Sequence, residues 1–284
     1  MINALSIDVE EYFHPAEVQR SLSMESWASL PSRIGAQTDR ILELLDRHSV
    51  SATFFILGWV AEHTPGVVRR IARAGHEIGC HSYAHQPIYR LTPAQFRQDT
   101  VRAVRAIEEA CGVTPRVYRA PNYSITTECL WALEILVECG FECDSSIVPI
   151  THDRCGIPGF SREPTVLQTR SGNLFEVPVA TIAMGKAVIP VGGGAYLRVL
   201  PYRYTAAGIR RVNVEEQRPV CMYFHPWEID AEQPRLASGR ISRMRTYTGL
   251  SRMEKKLDRL LGEFEFSTLR AVYSQLAAAA IARV

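Results

Sequence analysis

The sequence predicts an α/β domain built on a mostly parallel sheet that is closed or nearly closed. Two observations carry this reading. Short apolar runs alternate with helical patterns along residues 1–230, and polar chemistry gathers where those runs end. Asp8 and Glu10 end the run at 2–9, and His81-Ser82-Tyr83-Ala84-His85 follows 77–80. Arg119-Ala120-Pro121-Asn122-Tyr123 follows 117–118, and His225-Pro226-Trp227-Glu228 follows 220–224. In a βα array the carboxyl ends of the strands meet at one mouth, so these groups are expected to converge.

Each element has its own signal. After the first strand and a Ser/Pro-rich loop, Ile34, Ile41, Leu44 and Leu45 mark a helix, and 51–57, with Phe54-Phe55-Ile56, a buried strand. Thr64-Pro65 starts the next helix, whose stripe is Val67, Val68, Ile71 and Ala72 and whose stop is Gly75. A strand over 77–80 follows. Thr92-Pro93-Ala94-Gln95 has the form of a capping box opening a helix through Phe96, Val101, Val104 and Ile107, closed by Gly112. A helix over 126–139, stopped by Gly140, leads to a strand at 141–144. Residues 145–172 read as a loop with Pro149, Pro158 and Pro164, then a strand resumes at 174–179. Gly192-Gly193-Gly194 reads as a flexible connection; its spacing fits no nucleotide loop. After the strand at 220–224, residues 231–284 form a basic helical extension expected to pack on the barrel. Its helical patterns lie at 250–261 and 267–280.

Bulk properties narrow the function. A chain of 284 residues, 46% hydrophobic, can bury a large core. A net charge of +2 implies no nucleic-acid partner and no strong membrane field, and no apolar run has the length of a membrane span. The amino terminus has no leader pattern, and the seven cysteines include no CxxC pair. A reduced, cytoplasmic setting is therefore expected.

The polar residues point to metal chemistry. The HxxxH spacing of His81 and His85 would put both imidazoles on one face of a helical turn. A strand's period of two puts Asp8 and Glu10 on one face and Glu11 on the other. Two imidazoles and one carboxylate would hold a divalent ion, leaving the second carboxylate free to take a proton from water. Arg119 would orient that free carboxylate, though alone it would read as an ordinary salt bridge. His225 is the expected acid, with Asp144 on its other ring nitrogen and Trp227 walling the site; the bland alternative is a satisfied core histidine.

The acidic first strand, HSYAH, RAPNYS and FHPWE, in that order, resemble the NodB-type polysaccharide deacetylases, carbohydrate esterase family four. The resemblance covers about residues 2–228. It implies a distorted (β/α) barrel, a divalent metal (usually zinc, with cobalt, nickel or iron as alternatives) and removal of N-acetyl groups from amino sugars. It implies His81 and His85 as ligands, Arg119 as partner of the base, the Tyr123 backbone N–H as an oxyanion donor and His225 as acid. Pro121, Tyr123 and Trp227 are the expected substrate contacts. Where most members carry adjacent aspartates, this chain reads Asp8-Val9-Glu10-Glu11. Strand geometry favours Asp8 as base and Glu10 as ligand, with Glu11 as the alternative ligand. SIDVEEYFH, GGGAYLR and HPWEID resemble a subgroup of exopolysaccharide and exosortase loci, which implies a biosynthetic precursor, nucleotide- or lipid-linked, as substrate. Three rivals remain open at this point: a hydrolase of a non-sugar amide, a non-haem iron oxygenase, and a decayed enzyme that only binds saccharide.

Overall fold

The computed structural model describes residues 1–20, 22–152, 155–185 and 187–274. Strand β1 (Asn3–Val9) is buried along its whole length. It lies between two parallel neighbours, β2 (Thr53–Ile56) and β10 (Cys221–Phe224). A strand covered on both faces must be apolar throughout, which is why 4–7 reads as a run rather than an alternation. The remaining strands are β3 (Glu77–Cys80), β4 (Val117–Tyr118), β5 (Cys143–Asp144), β6 (Thr165–Thr169), β7 (Gly172–Glu176), β8 (Thr181–Met184), β9 (Ala187–Pro190) and β11 (Phe266–Ser267). The main sheet runs β10-β1-β2-β3-β4-β5-β7-β6, with β11 also on β1; β8 and β9 form a separate hairpin.

Register explains why the chemistry converges. Val9, Ile56, Cys80, Tyr118, Asp144 and Glu176 lie level across successive strands. Glu10, His81 and Arg119 are each the next residue after that row. Phe224 is level with Ile7, which brings His225 level with Asp8. One edge of the sheet thus collects four predicted site residues.

The sheet curls into a distorted barrel whose last gap has no regular ladder. Residues 177–180 cross it. The Val177 N–H donates to the Asp144 carbonyl (2.8 Å) and the Ala180 N–H to the Cys221 carbonyl (3.2 Å).

Helices cover the outside: α1 (Ala16–Gln19), α2 (Ile34–Arg47), α3 (Gly58–His63), α4 (Pro65–Arg73), α5 (Pro93–Cys111), α6 (Trp131–Glu138), α7 (Gly194–Val199), α8 (Tyr202–Val214), α9 (Arg240–Tyr247) and α10 (Leu250–Glu263). The capping box of α5 is formed: Thr92 Oγ1 accepts from the Gln95 N–H, and Gln95 Oε1 accepts from the Thr92 N–H. Helix α10 buries Leu250, Met253, Leu257, Leu260 and Leu261. From its polar side Lys256 donates to the carbonyls of Leu197, Arg198 and Leu200, satisfying the last turn of α7.

Several expectations are corrected. The stretch 145–172 contains β6, which pairs antiparallel with β7. Gly192-Gly193-Gly194 is buried and tightly packed, not a flexible connection. A Cβ on Gly192 would lie 2.6 Å from the Cys221 carbonyl, and one on Gly194 would collide with the Glu228 carboxylate. The carboxyl-terminal extension is not helical throughout, since β11 joins β1. Of the pattern at 267–280, residues 269–274 are helical, and 275–280 lie outside the described residues.

Candidate metal and catalytic site

Glu10 Oε1 lies 3.0 Å from His81 Nε2 and 2.8 Å from His85 Nε2, and all three residues are buried. These donor atoms lie within 4.8 Å of one another. The histidines meet by a route different from the one expected. Residues 81–87 are not helical; Ser82 (φ 63°) and His85 (φ 52°) reverse the chain in the left-handed region. Asp99 on α5 holds this turn by accepting the N–H groups of Tyr83 (2.8 Å) and Ala84 (3.0 Å).

Both imidazoles are fixed from behind. His81 Nδ1 meets the Arg119 carbonyl at 2.8 Å, which takes the Nδ1 proton and leaves the Nε2 lone pair facing Glu10. His85 Nδ1 meets the Gln19 amide at 3.2 Å. Burial works against charge on Glu10, yet the neighbouring imidazoles of His85, His225 and His81 hold its carboxyl well below the usual range. One ionised carboxylate and two oriented imidazoles, with a cavity on the open side, fit a catalytic divalent ion.

Glu11 is elsewhere. Its carboxylate accepts the N–H groups of Arg33 (3.1 Å) and Ile34 (3.2 Å), closing the amino end of α2. Burial pushes its pKa up in spite of these bonds. His14, which sequence reasoning passed over, is buried and stacked at 6.1 Å on His85. Its Nδ1 accepts the Glu11 N–H, and burial holds its pKa well below that of a free imidazole.

Asp8 stands beside the ligand set. Arg119, fully buried, donates from Nη1 to Asp8 Oδ1 (2.7 Å) and Ser6 Oγ (2.7 Å). It also donates from Nε to the Ser145 carbonyl (3.1 Å) and from Nη2 to Ser145 Oγ (2.9 Å). Burial opposes its charge, but the Asp8 carboxylate more than restores it and raises the guanidinium pKa. The pair is fixed in one geometry.

His225 Nε2 lies 3.8 Å from both Asp8 Oδ2 and Glu10 Oε1. Its ring stacks on Trp227 at 5.2 Å. The expected partner, Asp144, is not there. Nδ1 of His225 instead meets Glu228 Oε2 at 3.0 Å, and Glu228 Oε1 accepts from buried Arg198 Nε at 3.0 Å. Glu228 sits three residues on, in the 3-10 turn Pro226–Ile229, whereas the Asp144 carboxyl is engaged with residues of its own end of β5. There Asp144 Oδ1 accepts from Ser146 Oγ, and the carboxyls of Asp144 and Glu176 face each other. Burial of that pair raises both, Asp144 to about 6 and Glu176 well above its ordinary value. For His225, burial lowers the pKa, and the charges of Glu10, Glu228 and Asp8 outweigh it, pushing it up to about 9.

Two more expectations change. The Tyr123 N–H donates to the Ala120 carbonyl at 3.0 Å and so is engaged within the 3-10 turn Pro121–Tyr123. Pro121 is buried as the first residue of that turn and does not line the cavity; Asn122 and Tyr123 do. Asn122 Nδ2 is a buried donor with no partner among the described residues. The cavity measures about 650 Å³, with Asp8, Glu10 and His225 at its base and Tyr89, Tyr196 and Trp227 among its walls. The sequence signal for Glu228 and Arg198 lay in HPWE and GGGAYLR, which place an acid and a base beside the last strand.

Residues 31–142 match the family model for polysaccharide deacetylase, and residues 145–274 match one described as a domain of unknown function, DUF3473. A peptidoglycan-N-acetylglucosamine deacetylase of Bacillus cereus is 37% identical over 34% of this chain and 36% of its own. A chitooligosaccharide deacetylase of a Bradyrhizobium strain is 38% identical over 32% of this chain and 42% of its own. The match thus spans less than half the length of these relatives. Among solved structures, a candidate polysaccharide deacetylase of Mycobacterium smegmatis superposes with a TM-score of 0.63 at 22% identity, covering 99% of this chain and 90% of that one. The fold is shared along nearly the whole chain, and the polysaccharide deacetylase match contains His81, His85 and Arg119. Over residues 31–142 this chain is therefore similar to the polysaccharide deacetylases.

Proposed function

We propose that this protein is a metal-dependent N-deacetylase acting on amino sugars of a polysaccharide or its biosynthetic precursor. The observation that supports this best is the division of the two strand-end acids: Glu10 faces His81 and His85, while Asp8 faces Arg119 and is free of the histidine pair. Glu10, His81 and His85 would hold the ion, with zinc suited to this donor set. When bound, a divalent ion acidifies water and polarises the acetamide carbonyl.

The chain's own residues supply the proton transfers. Asp8, held by Arg119, takes the proton from the attacking water. Asn122 Nδ2 offers a hydrogen bond to the carbonyl oxygen as negative charge develops there, the role the engaged Tyr123 N–H does not fill. His225, kept charged by Glu228, gives a proton to the departing amine, and acetate leaves. Trp227 and Tyr89 present flat apolar faces to a pyranose ring.

Among the described residues no helix is long and apolar enough to cross a membrane, and all seven cysteines are free. This accords with a cytoplasmic role in exopolysaccharide biosynthesis, on a nucleotide- or lipid-linked precursor. The test is elemental analysis of the purified protein followed by acetate release from N-acetylated oligosaccharides of graded length. The reading predicts one equivalent of metal and acetate release. It also predicts that Asp8→Asn loses about 10²–10⁴-fold in turnover with metal retained, whereas His81→Ala loses the metal. Full turnover in Asp8→Asn would refute the assignment.

A further inference from the structure

The base of the cavity is acidic, but its mouth is not. Arg20, at the end of α1, Arg90, at the end of the 3-10 turn Ile88–Arg90, and Arg245, on α9, all line it. Arg245 has a loose contact with Glu17, 3.8 Å away. The guanidinium groups of Arg20 and Arg90 make no hydrogen bond or ion pair with any described residue, although elsewhere arginines at cavity depth are fully engaged, as Arg119 and Arg198 are. Three elements distant in sequence thus deliver three exposed forks to one cavity, where Glu17 lies beside Arg245 and the other lining acids, Asp8, Glu10 and Glu228, are buried. Guanidinium forks match phosphate and carboxylate oxygens, and a neutral sugar gives them nothing to pair with.

We propose that this mouth binds an anionic group carried by the saccharide, a phosphate or a carboxylate, outside the unit whose N-acetyl group lies at the cavity base. This rests on the deacetylase reading and adds a substrate class to it. The anion would anchor the chain's outer end at Arg20 and Arg90, with Arg245 closing on it from α9. The rest of the saccharide would run down past Tyr89 to Trp227.

The test compares one N-acetylated oligosaccharide in three forms: neutral, with a terminal phosphate, and with a terminal uronate. Wild type is expected to prefer an anionic form by about tenfold or more in kcat/KM at low salt, mostly through KM, and to lose that preference as salt rises. The Arg20→Gln/Arg90→Gln double variant is expected to bring the anionic-to-neutral ratio near one. Arg243→Gln, an exposed residue of α9 that does not line the cavity, should keep the wild-type ratio. Whichever anionic form gains identifies the group. Equal handling of all three forms by wild type, or a preference that survives the double variant, overturns the proposal. Calorimetric binding of the phosphate and neutral forms to the metal-loaded protein reads the same ratio without turnover. It separates failure of this site from failure of the deacetylase reading.

Discussion

Glu228 Oε2 lies 3.0 Å from Nδ1 of His225, and the same carboxylate is held on its other oxygen by the buried guanidinium of Arg198. The expected acid of the site is therefore oriented and charged by a residue three positions away on its own turn. Burial acts to raise the pKa of Glu228, but His225 and Arg198 outweigh it and keep the carboxylate ionised. An acid catalyst loses activity as pH rises through its pKa. Glu228→Gln removes one of the charges that raise His225 toward about 9. The alkaline limb of the kcat profile should then move to lower pH, by about one unit for each 1.4 kcal/mol of lost interaction. An unmoved limb would detach Glu228 from the chemistry.

Arg119 is the largest fully buried side chain, and every donor group it has is directed at Asp8, Ser6, Ser145 or Cys221. Arg119→Met leaves the Asp8 carboxylate buried without its partner, which should cost about 3–5 kcal/mol in denaturant unfolding. Asp8→Asn combined with Arg119→Met should recover part of that loss. A double variant no more stable than the single one would argue that the pair is not coupled.

Asn122 faces the cavity with a free donor, from a backbone held at φ 56° by the turn around it. Asn122→Ala is expected to lower kcat by about 10²–10³-fold while leaving KM and metal content near the wild-type values, as the loss of a donor to a developing oxyanion does. A change in KM alone would reassign Asn122 to ground-state binding.

The Asp144–Glu176 pair sets a pH dependence of stability. Both carboxyls have raised pKa values in the folded chain because burial disfavours their charge. Stability from such groups is full below the unfolded carboxyl values, about 4, and falls as pH rises through the folded ones. For Asp144 that window ends at about 6, and for Glu176 it extends higher. Glu176→Gln keeps a hydrogen bond to Asp144 without the second charge. Its melting temperature should gain on the wild type steadily from pH 5 to pH 8. A constant offset across that range would exclude the shared proton.

The catalytic end of the sheet was readable because its strands are apolar on both faces and each ends on a charged or imidazole group. What the sequence hid was conformation and edge structure. The HxxxH spacing suggests a helix, yet the pair is brought together by left-handed Ser82 and His85, neither of them glycine, in a turn held by distant Asp99. Asp144 looked like the partner of His225 because both end strands, but a register argument cannot tell that its carboxyl is taken by Ser146 and Glu176. The strand at Thr165–Thr169 escaped notice because it is half-exposed, so its pattern lacks the apolar continuity of the central strands. Helix α8 carries Thr205 and Gly208 on its buried face, which weakens the apolar stripe on which its detection depends. Strand alternation already set Glu10 apart from Glu11, and the structure adds that the amino end of α2 claims Glu11.

Strand β1 pairs on one side with residues 53–56 and on the other with 221–224, and 266–267 add a short ladder at its start. Asp8 and Glu10 thus stand at the end of a strand whose second neighbour, leading to His225, lies more than two hundred residues further along the chain. During synthesis the strand carrying Asp8 must wait for residues 221–224 before it acquires its second neighbour. A nascent chain, or one clipped before β10, would hold HSYAH and RAPNY in a barrel with an unfilled seam. Assembly of the Asp8–Glu10–His225 cluster in this way depends on contact between segments far apart in sequence.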